Sequence, residues 1–260
     1  MQLIREVVER RRTVTLTLAG IAVLLVMTHV GWQLFTFFTG HDHVRGLINL
    51  FHLNEEWNIP SLFSAMLLIS AAMLLSFIAI RERQSAARDW SKWTVLAVGF
   101  FYMAIDEFGY LHEQLIRPGR ALLGERSMGL LYYAWVVPAS AIVLVLAVYF
   151  LGFLRRLPPW TSRTFILAGA IFVGGAVGIE MLEGRQHLLY GKQDLTYQMY
   201  VTVEEAMEML GVVVFIGALL RYIAEKHSAL EAMQPNKTFH IDDRATRNPP
   251  RDPPVLIRRS

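Results

Sequence analysis

The chain has 260 residues, of which 54% are hydrophobic and 18% are charged. Soluble domains average roughly 25% charged residues, so the composition favours a membrane protein. The absence of cysteine excludes disulfides, thiolate metal sites, cysteine nucleophiles and iron–sulfur clusters. The net charge of +3 comes from basic residues at the ends of apolar blocks, a pattern of membrane topology that argues against a nucleic-acid partner.

Six apolar blocks follow one another along the chain, each close to the ~20 residues that cross a bilayer. We predict spans over residues 13–38, 60–80, 93–115, 129–154, 164–183 and 197–223. Each span is predicted to be helical, because backbone polar groups in lipid must be satisfied within the segment. The expected fold class is all-α, a polytopic membrane protein with six transmembrane helices in one bundle over residues 1–226.

The Lys and Arg residues of the connecting segments predict the orientation. They concentrate on the side that holds the N terminus and the second and fourth loops. By the positive-inside rule both termini are cytoplasmic, which predicts a multi-pass protein of the inner (plasma) membrane. The first block is too long for a signal peptide and is predicted to be retained. The tail, 227–260, is rich in Pro and Arg and is predicted to be disordered.

Carboxylates and histidines occur where three spans approach the outer face. The third span ends in "AIDEFGYLHEQL", the fifth leads into "IEMLEGRQHL", and the sixth begins with "VEEAME". At 1.5 Å per residue these stretches fall into one layer, and His29 of the first span reaches a similar level. The candidate site residues are Asp106, Glu107, His112, Glu113, Glu180, Glu183, His187, Glu204, Glu205 and Glu208.

Helical periodicity assigns these residues to faces. One stripe of the third span carries aromatic and acidic side chains, namely Tyr102, Asp106, Tyr110 and Glu113. Glu107 is predicted to flank this stripe, and His112 to point away from it. In the fifth span, Glu180, Glu183 and His187 share a face, and the adjoining "GAIFVGGAVG" predicts close helix packing.

A charge at the bilayer centre costs about 2.5–3.5 kcal/mol. The carboxylates must therefore bind a cation, share protons or face water. Carboxylate and imidazole ligands suit Fe, Mn or Zn, so a divalent metal is the expected cofactor, although the Glu-x-x-His pairs of di-iron bundles are missing. The leading hypothesis is the metal site of a membrane enzyme that acts on a lipid-like or periplasmic substrate. A proton- or cation-coupled transporter module and a non-catalytic accessory subunit are the alternatives.

Other features are less distinctive. Nucleophile-elbow, Walker and dinucleotide motifs are absent, and the serines within the spans, Ser64, Ser70, Ser76 and Ser140, have no obvious histidine partner on their own helices. In the first outer loop, Asn58 is a predicted helix cap before Pro60 and Trp57 a predicted aromatic anchor at headgroup depth; the alternative is that Glu56 joins the acidic layer. Besides the bilayer, the expected partner is another protein or a second copy of this chain, bound through small-residue helix faces.

Three stretches together resemble a known group of proteins. "NEEWNIPSLFSA", "IDEFGYLHE" and "VEEAMEMLG" are similar to sequences of bacterial six-span membrane proteins of unknown function. The resemblance covers most of the predicted membrane part and not the tail. It implies a fold and a membrane location, and it implies no activity.

Overall fold

The computed structural model describes residues 6, 9–40, 47–55, 57–124 and 129–233, which form helices and no strand. The helices are α1 (Arg11–Thr39), α2 (Leu47–Leu50), α3 (Ile59–Gln84), α4 (Trp90–Gly109), α5 (Ile116–Leu123), α6 (Val136–Arg156), α7 (Pro159–Val173), α8 (Glu180–Tyr190) and α9 (Leu195–Met233). A π-helical segment, Gly174–Ile179, joins α7 to α8. Met1–Glu225 form one compact unit, and Lys226–Ser260 form a second unit. Of that second unit the structure describes only the end of α9.

Five helical stretches have the length and apolar character needed to cross a membrane, which indicates a membrane protein. They are Arg11–Thr39, Ile59–Gln84, Val136–Arg156, Pro159–Tyr190 and Leu195–Lys226. A sixth crossing is counted only if α4 and the stretch Glu113–Leu123, which are bent by 75° relative to each other, form one span. At the other boundaries, α6 begins seven residues after the predicted start of the fourth span, and α9 includes the first seven residues of the predicted tail. The rest of that tail and Glu56 lie outside the described residues.

The third predicted span ends early. Tyr110 adopts a left-handed backbone conformation with φ of 50°, and its amide donates to the Asp106 carbonyl oxygen at 3.0 Å. The Asp106 carboxylate accepts the His112 amide at 2.9 Å, so the side chain closes the turn. The predicted stripe through Tyr110 and Glu113 is therefore wrong, because the helix axis ends at Gly109.

The predicted start of the second span is confirmed. The Asn58 side chain accepts the Ser61 amide at 3.1 Å, and the Ser61 hydroxyl accepts the Asn58 amide at 3.1 Å. This reciprocal capping box satisfies donors that a helix start leaves free, and Pro60 occupies a position where no donor is lost. Trp57, just before it, is 75% exposed.

The last helix, α9, lies at the centre of the bundle. Its apolar side chains at the middle of the helix are almost all buried, including Val212, Val213, Ile216, Leu219 and Leu220. α1 packs near it through a narrow stripe of Ala22, Leu25 and His29. We call the end of the bundle where α3 begins the acidic end, and the end with Arg81, Arg83 and Arg156 the basic end.

A buried tryptophan organises the basic half of the bundle. Trp93 of α4 is fully buried, and its ring contacts Phe153 of α6, Phe165 of α7 and Tyr222 of α9 at centroid distances of 5.0, 6.0 and 5.0 Å. Four helices therefore meet around one side chain. In a membrane, close packing contacts of this kind, rather than removal of apolar surface from water, stabilise the association of helices.

Two glycines allow α9 to approach α7 and the π-helical segment closely. A Cβ atom on Gly175 would lie 2.9 Å from the Glu204 carbonyl oxygen, and one on Gly211 would lie 2.9 Å from the Phe172 backbone nitrogen. These separations are too short for any side chain. The close packing predicted from "GAIFVGGAVG" is thus confirmed at Gly175, whereas Gly169 has open space around it.

We expect Gly175→Ala to lower the free energy of unfolding by about 1–3 kcal/mol, because the added methyl group forces α9 away from the π-helical segment. Thermal unfolding of the purified protein in detergent measures the effect. Gly169→Ala, on α7 just before the π-helical segment, is the matched control and should be neutral or slightly stabilising. Equal effects of the two changes would contradict the proposed close approach.

Candidate functional site

Four glutamates of α8 and α9 face each other at the acidic end. Glu180 and Glu183, three residues apart on the first turn of α8, are 9% and 5% exposed. Glu204 lies within electrostatic range of both and of Glu208, and Glu180 lies within range of Glu208. We call Glu180, Glu183, Glu204 and Glu208 the carboxyl cluster. Side chains three or four residues apart lie on one helix face, so each helix contributes a pair.

The π-helical segment positions the α8 pair. It lies directly before Glu180, and a Cβ atom on its Gly175 would lie 2.9 Å from the Glu204 carbonyl oxygen and 3.1 and 3.4 Å from side-chain carbons of Met207 and Glu208 on α9. A π-helical turn changes the register of the residues that follow it and often occurs at functional sites. The segment therefore determines which face of α8 meets α9.

No cation neutralises the carboxyl cluster within the described ranges. Lys and Arg side chains form ion pairs elsewhere, such as Arg10–Glu6, Arg156–Asp89 and Arg221–Glu225, and none of these includes a cluster residue. One buried oxygen of Glu204, Oε2, has no hydrogen-bond partner. An ionised carboxylate in such surroundings is very costly.

A tryptophan connects the cluster to the end of α4. The Trp135 indole Nε1 donates to Glu180 Oε1 at 2.6 Å. The ring of Trp135 packs on that of His112 with centroids 4.7 Å apart, and His112 Nδ1 lies 2.7 Å from Asp106 Oδ2. The prediction that His112 points away from Asp106 is therefore wrong, because the chain reverses after Gly109 and returns the imidazole to the carboxylate.

Glu107 occupies the interior position that the sequence assigned to Asp106. It lines a small cavity together with Ser64 of α3 and Glu208 of α9. Tyr102, by contrast, is 55% exposed. The inward face of α4 is thus one residue away from the predicted stripe.

The remaining candidate residues have different surroundings. Glu113 is exposed in a short 3-10 turn, although it lies within electrostatic range of Glu180. Glu205 is half-buried next to Glu204. His187 lies at the far side of the cluster, where the Tyr133 hydroxyl is 2.8 Å from its Nδ1 atom.

A layer of aromatic and amide side chains lies beside the cluster. The hydroxyl groups of Tyr133 and Tyr197 are 3.4 Å apart, and Asn54 Nδ2 donates to the Tyr197 hydroxyl at 3.1 Å. Burial raises the pKa of Tyr133, so its hydroxyl keeps its proton. We call these residues, together with His187, the tyrosine layer.

Two histidines extend this layer toward α1. Buried His29 accepts the Leu53 amide on Nδ1 at 3.1 Å, so its proton resides on Nε2, a buried atom without a partner. The His52 ring meets the His29 ring edge-on with centroids 4.8 Å apart. Burial lowers the pKa of His52, which favours two neutral rings in contact.

Sequence patterns did not identify Trp135, Tyr133 or Ser64 as site residues, whereas helical spacing places Tyr197 on the same face of the sixth span as Glu204 and Glu208. Glu107 did have a signal, since it continues the inward stripe of Trp93, Ala97, Phe100 and Ala104 at alternating spacings of four and three residues. Trp135 had none, because its partner lies 45 residues away.

The described residues do not fit a metal centre. Among them, no group of three or more His, Asp or Glu side chains converges as metal ligands do. The four carboxyl groups form two pairs on facing helices, and the nearest imidazoles are engaged elsewhere, His112 by Asp106 and His187 by Tyr133. The predicted Fe, Mn or Zn site thus has no support in this geometry.

The chain belongs to a family described as a domain of unknown function (DUF8692), whose model matches residues 15–223. The match includes every residue of the carboxyl cluster and the tyrosine layer. No curated protein and no solved structure matches the chain.

We expect Trp135→Phe to lower the free energy of unfolding by about 1–3 kcal/mol, since Glu180 loses its indole donor in a buried place. Glu180→Gln should lower the free energy of unfolding less in the Trp135→Phe protein than in the wild type. The difference, the coupling energy, should be about 0.5–3 kcal/mol. Chemical unfolding of the wild type, the two single variants and the double variant gives this double-mutant cycle. Trp57→Phe, at an exposed tryptophan, is the control and should be nearly neutral. Strict additivity would show that the indole does not support Glu180.

Proposed function

We propose that this protein binds protons on its carboxyl cluster and serves as a membrane module of a proton-coupled process. We further propose six crossings, with α4 and the bent segment that contains α5 as one of them. Both termini would then be cytoplasmic, and the carboxyl cluster would lie toward the outer face of the inner membrane.

The observation that carries this proposal is a cluster of four carboxyl groups, two of them buried and two partly buried, without a cation. Glu180 and Glu183 are almost fully buried, and Glu204 keeps one oxygen without a partner. Two carboxylates at close range cannot both remain ionised in a site of low dielectric constant. Because the described residues do not converge as metal ligands do, we infer that bound protons lower the free-energy cost of this cluster.

A shared proton also suits the arrangement of the groups. A protonated carboxyl group becomes a hydrogen-bond donor, and an ionised neighbour accepts that bond. Glu204 lies within range of Glu180, Glu183 and Glu208, so it is placed to share a proton with any of them. Clustered carboxyl groups of this kind are typical of proton paths in membrane proteins.

In this conformation the position of the carboxyl cluster allows it to exchange protons with only one end of the bundle. Glu208 and Tyr222, whose hydroxyl donates to Glu82 at the basic end, lie fourteen residues apart on α9, or about 21 Å along the helix. The inward side chains between them are apolar and buried, including Ile216, Leu219 and Leu220. The proposed module therefore exchanges protons with the acidic end and is closed toward the basic end.

Infrared spectroscopy of the purified protein in lipid tests the proposal. We expect the absorption of protonated carboxyl groups at neutral pH, and we expect it to decrease as the pH rises. Glu180→Gln and Glu204→Gln should each remove part of that absorption, and the double variant should remove more than either alone. Glu55→Gln, at an exposed residue of the same end, is the control and should leave it unchanged.

A spectrum without protonated carboxyl groups at neutral pH would refute the proposal, as would glutamine variants that keep the full absorption. Metal analysis of the same preparations examines the enzyme hypothesis, which stays a prediction. Stoichiometric Fe, Mn or Zn that disappears in Glu204→Gln would replace the proton with a metal.

A further inference from the structure

A small cavity lies between α3, α4, α7 and α9, next to the carboxyl cluster. Its polar lining residues are Ser64, Glu107 and Glu208, and the others are apolar, among them Leu67 and Phe172. Its volume is about 10 Å³, which is close to the smallest space that holds one water molecule. No sequence pattern connects Ser64 with either glutamate.

The hydroxyl group of Ser64 also indicates that the cavity holds a ligand. Its Oγ atom is buried and has no hydrogen-bond partner within the described structure. Other serines of α3 behave differently, since Ser70 and Ser76 donate to the carbonyl oxygens of Met66 and Ala72 at 2.7 and 2.8 Å. A buried hydroxyl without a partner costs about 1–3 kcal/mol, so a ligand in the cavity would remove a real penalty.

The chemistry of the lining selects the ligand. A buried water molecule typically makes about three hydrogen bonds, with a range of two to four. The cavity offers one hydroxyl and two carboxyl groups. Calcium and magnesium ions require about six to eight oxygen ligands, which three side chains among apolar neighbours do not provide.

We propose that this cavity binds one water molecule, held by Ser64, Glu107 and Glu208. The water joins the carboxyl group of α4 to the carboxyl cluster, since Glu107 and Glu208 line the same cavity. Ser64 thereby gains the partner that the protein does not supply. This water site adjoins the carboxyl cluster of the proposed function and so extends it. The inference depends on the shape of the cavity, and its test is independent of the infrared titration.

A structure of the full chain in lipid, at a resolution that shows ordered water, tests the inference. We expect one density peak within about 2.5–3.2 Å of Ser64 Oγ and of an oxygen of each carboxyl group. Ser64→Val removes the hydroxyl and fills part of the cavity, so the peak should be lost. Ser70→Val is the matched control on the same helix and should retain it.

An empty cavity in the wild-type map would overturn the inference. A peak that persists unchanged in Ser64→Val, or one with the short distances and ligand number of a metal ion, would also overturn it. The wild-type map decides the question alone if Ser64→Val does not fold. A water peak in a protein that lacks protonated carboxyl groups would support the water site while refuting the proton-binding function.

Discussion

The close approach of α9 to the π-helical segment at Gly175 is the constraint on which the site depends. A side chain at that position would meet the Glu204 carbonyl oxygen at 2.9 Å, so only glycine permits the contact. With the two backbones this close, glutamates on the facing turns of α8 and α9 have no room for an intervening layer of side chains. The carboxyl cluster is thus a consequence of backbone packing as much as of the acidic residues themselves.

The bundle offsets the cost of this arrangement at its other end. Buried carboxyl groups oppose folding, whereas the half of the bundle around Trp93 consists of large apolar side chains in contact across four helices. Phe100 stacks on Phe215 with ring centroids 4.9 Å apart, near the same centre. Proteins commonly depart from the rules of stable packing at functional sites and compensate elsewhere. The uneven distribution of polarity along the bundle is such a departure, since the clustered carboxyl groups without a cation lie at the acidic end, whereas Glu82, buried at the basic end, accepts the Tyr222 hydroxyl.

The sequence predicted the parts of the structure that depend on local composition. The apolar blocks located the long helices, the Asn58 cap followed from the residues beside Pro60, and Gly175 lay in a small-residue stretch. The break after Gly109 was missed because it depends on the Asp106 side chain accepting the His112 amide, whereas apolar periodicity continues past that point. The Trp135 contact with Glu180 was missed because it joins residues 45 positions apart. Glu107 was assigned to the wrong face even though the stripe from Trp93 through Ala104 points to it.

The tyrosine layer and the carboxyl cluster are consecutive levels of one structure. Tyr197 precedes Glu204 by seven residues, or about 10.5 Å along α9, so its hydroxyl lies two turns closer to the helix start. Tyr133 and His187 meet at that level, and both of their polar atoms can donate and accept protons. Under the proposed function, a proton that reaches Glu183 or Glu204 from the acidic end passes this layer first. The layer then acts as the entrance to the cluster, and its neutral side chains connect the two levels without adding charge.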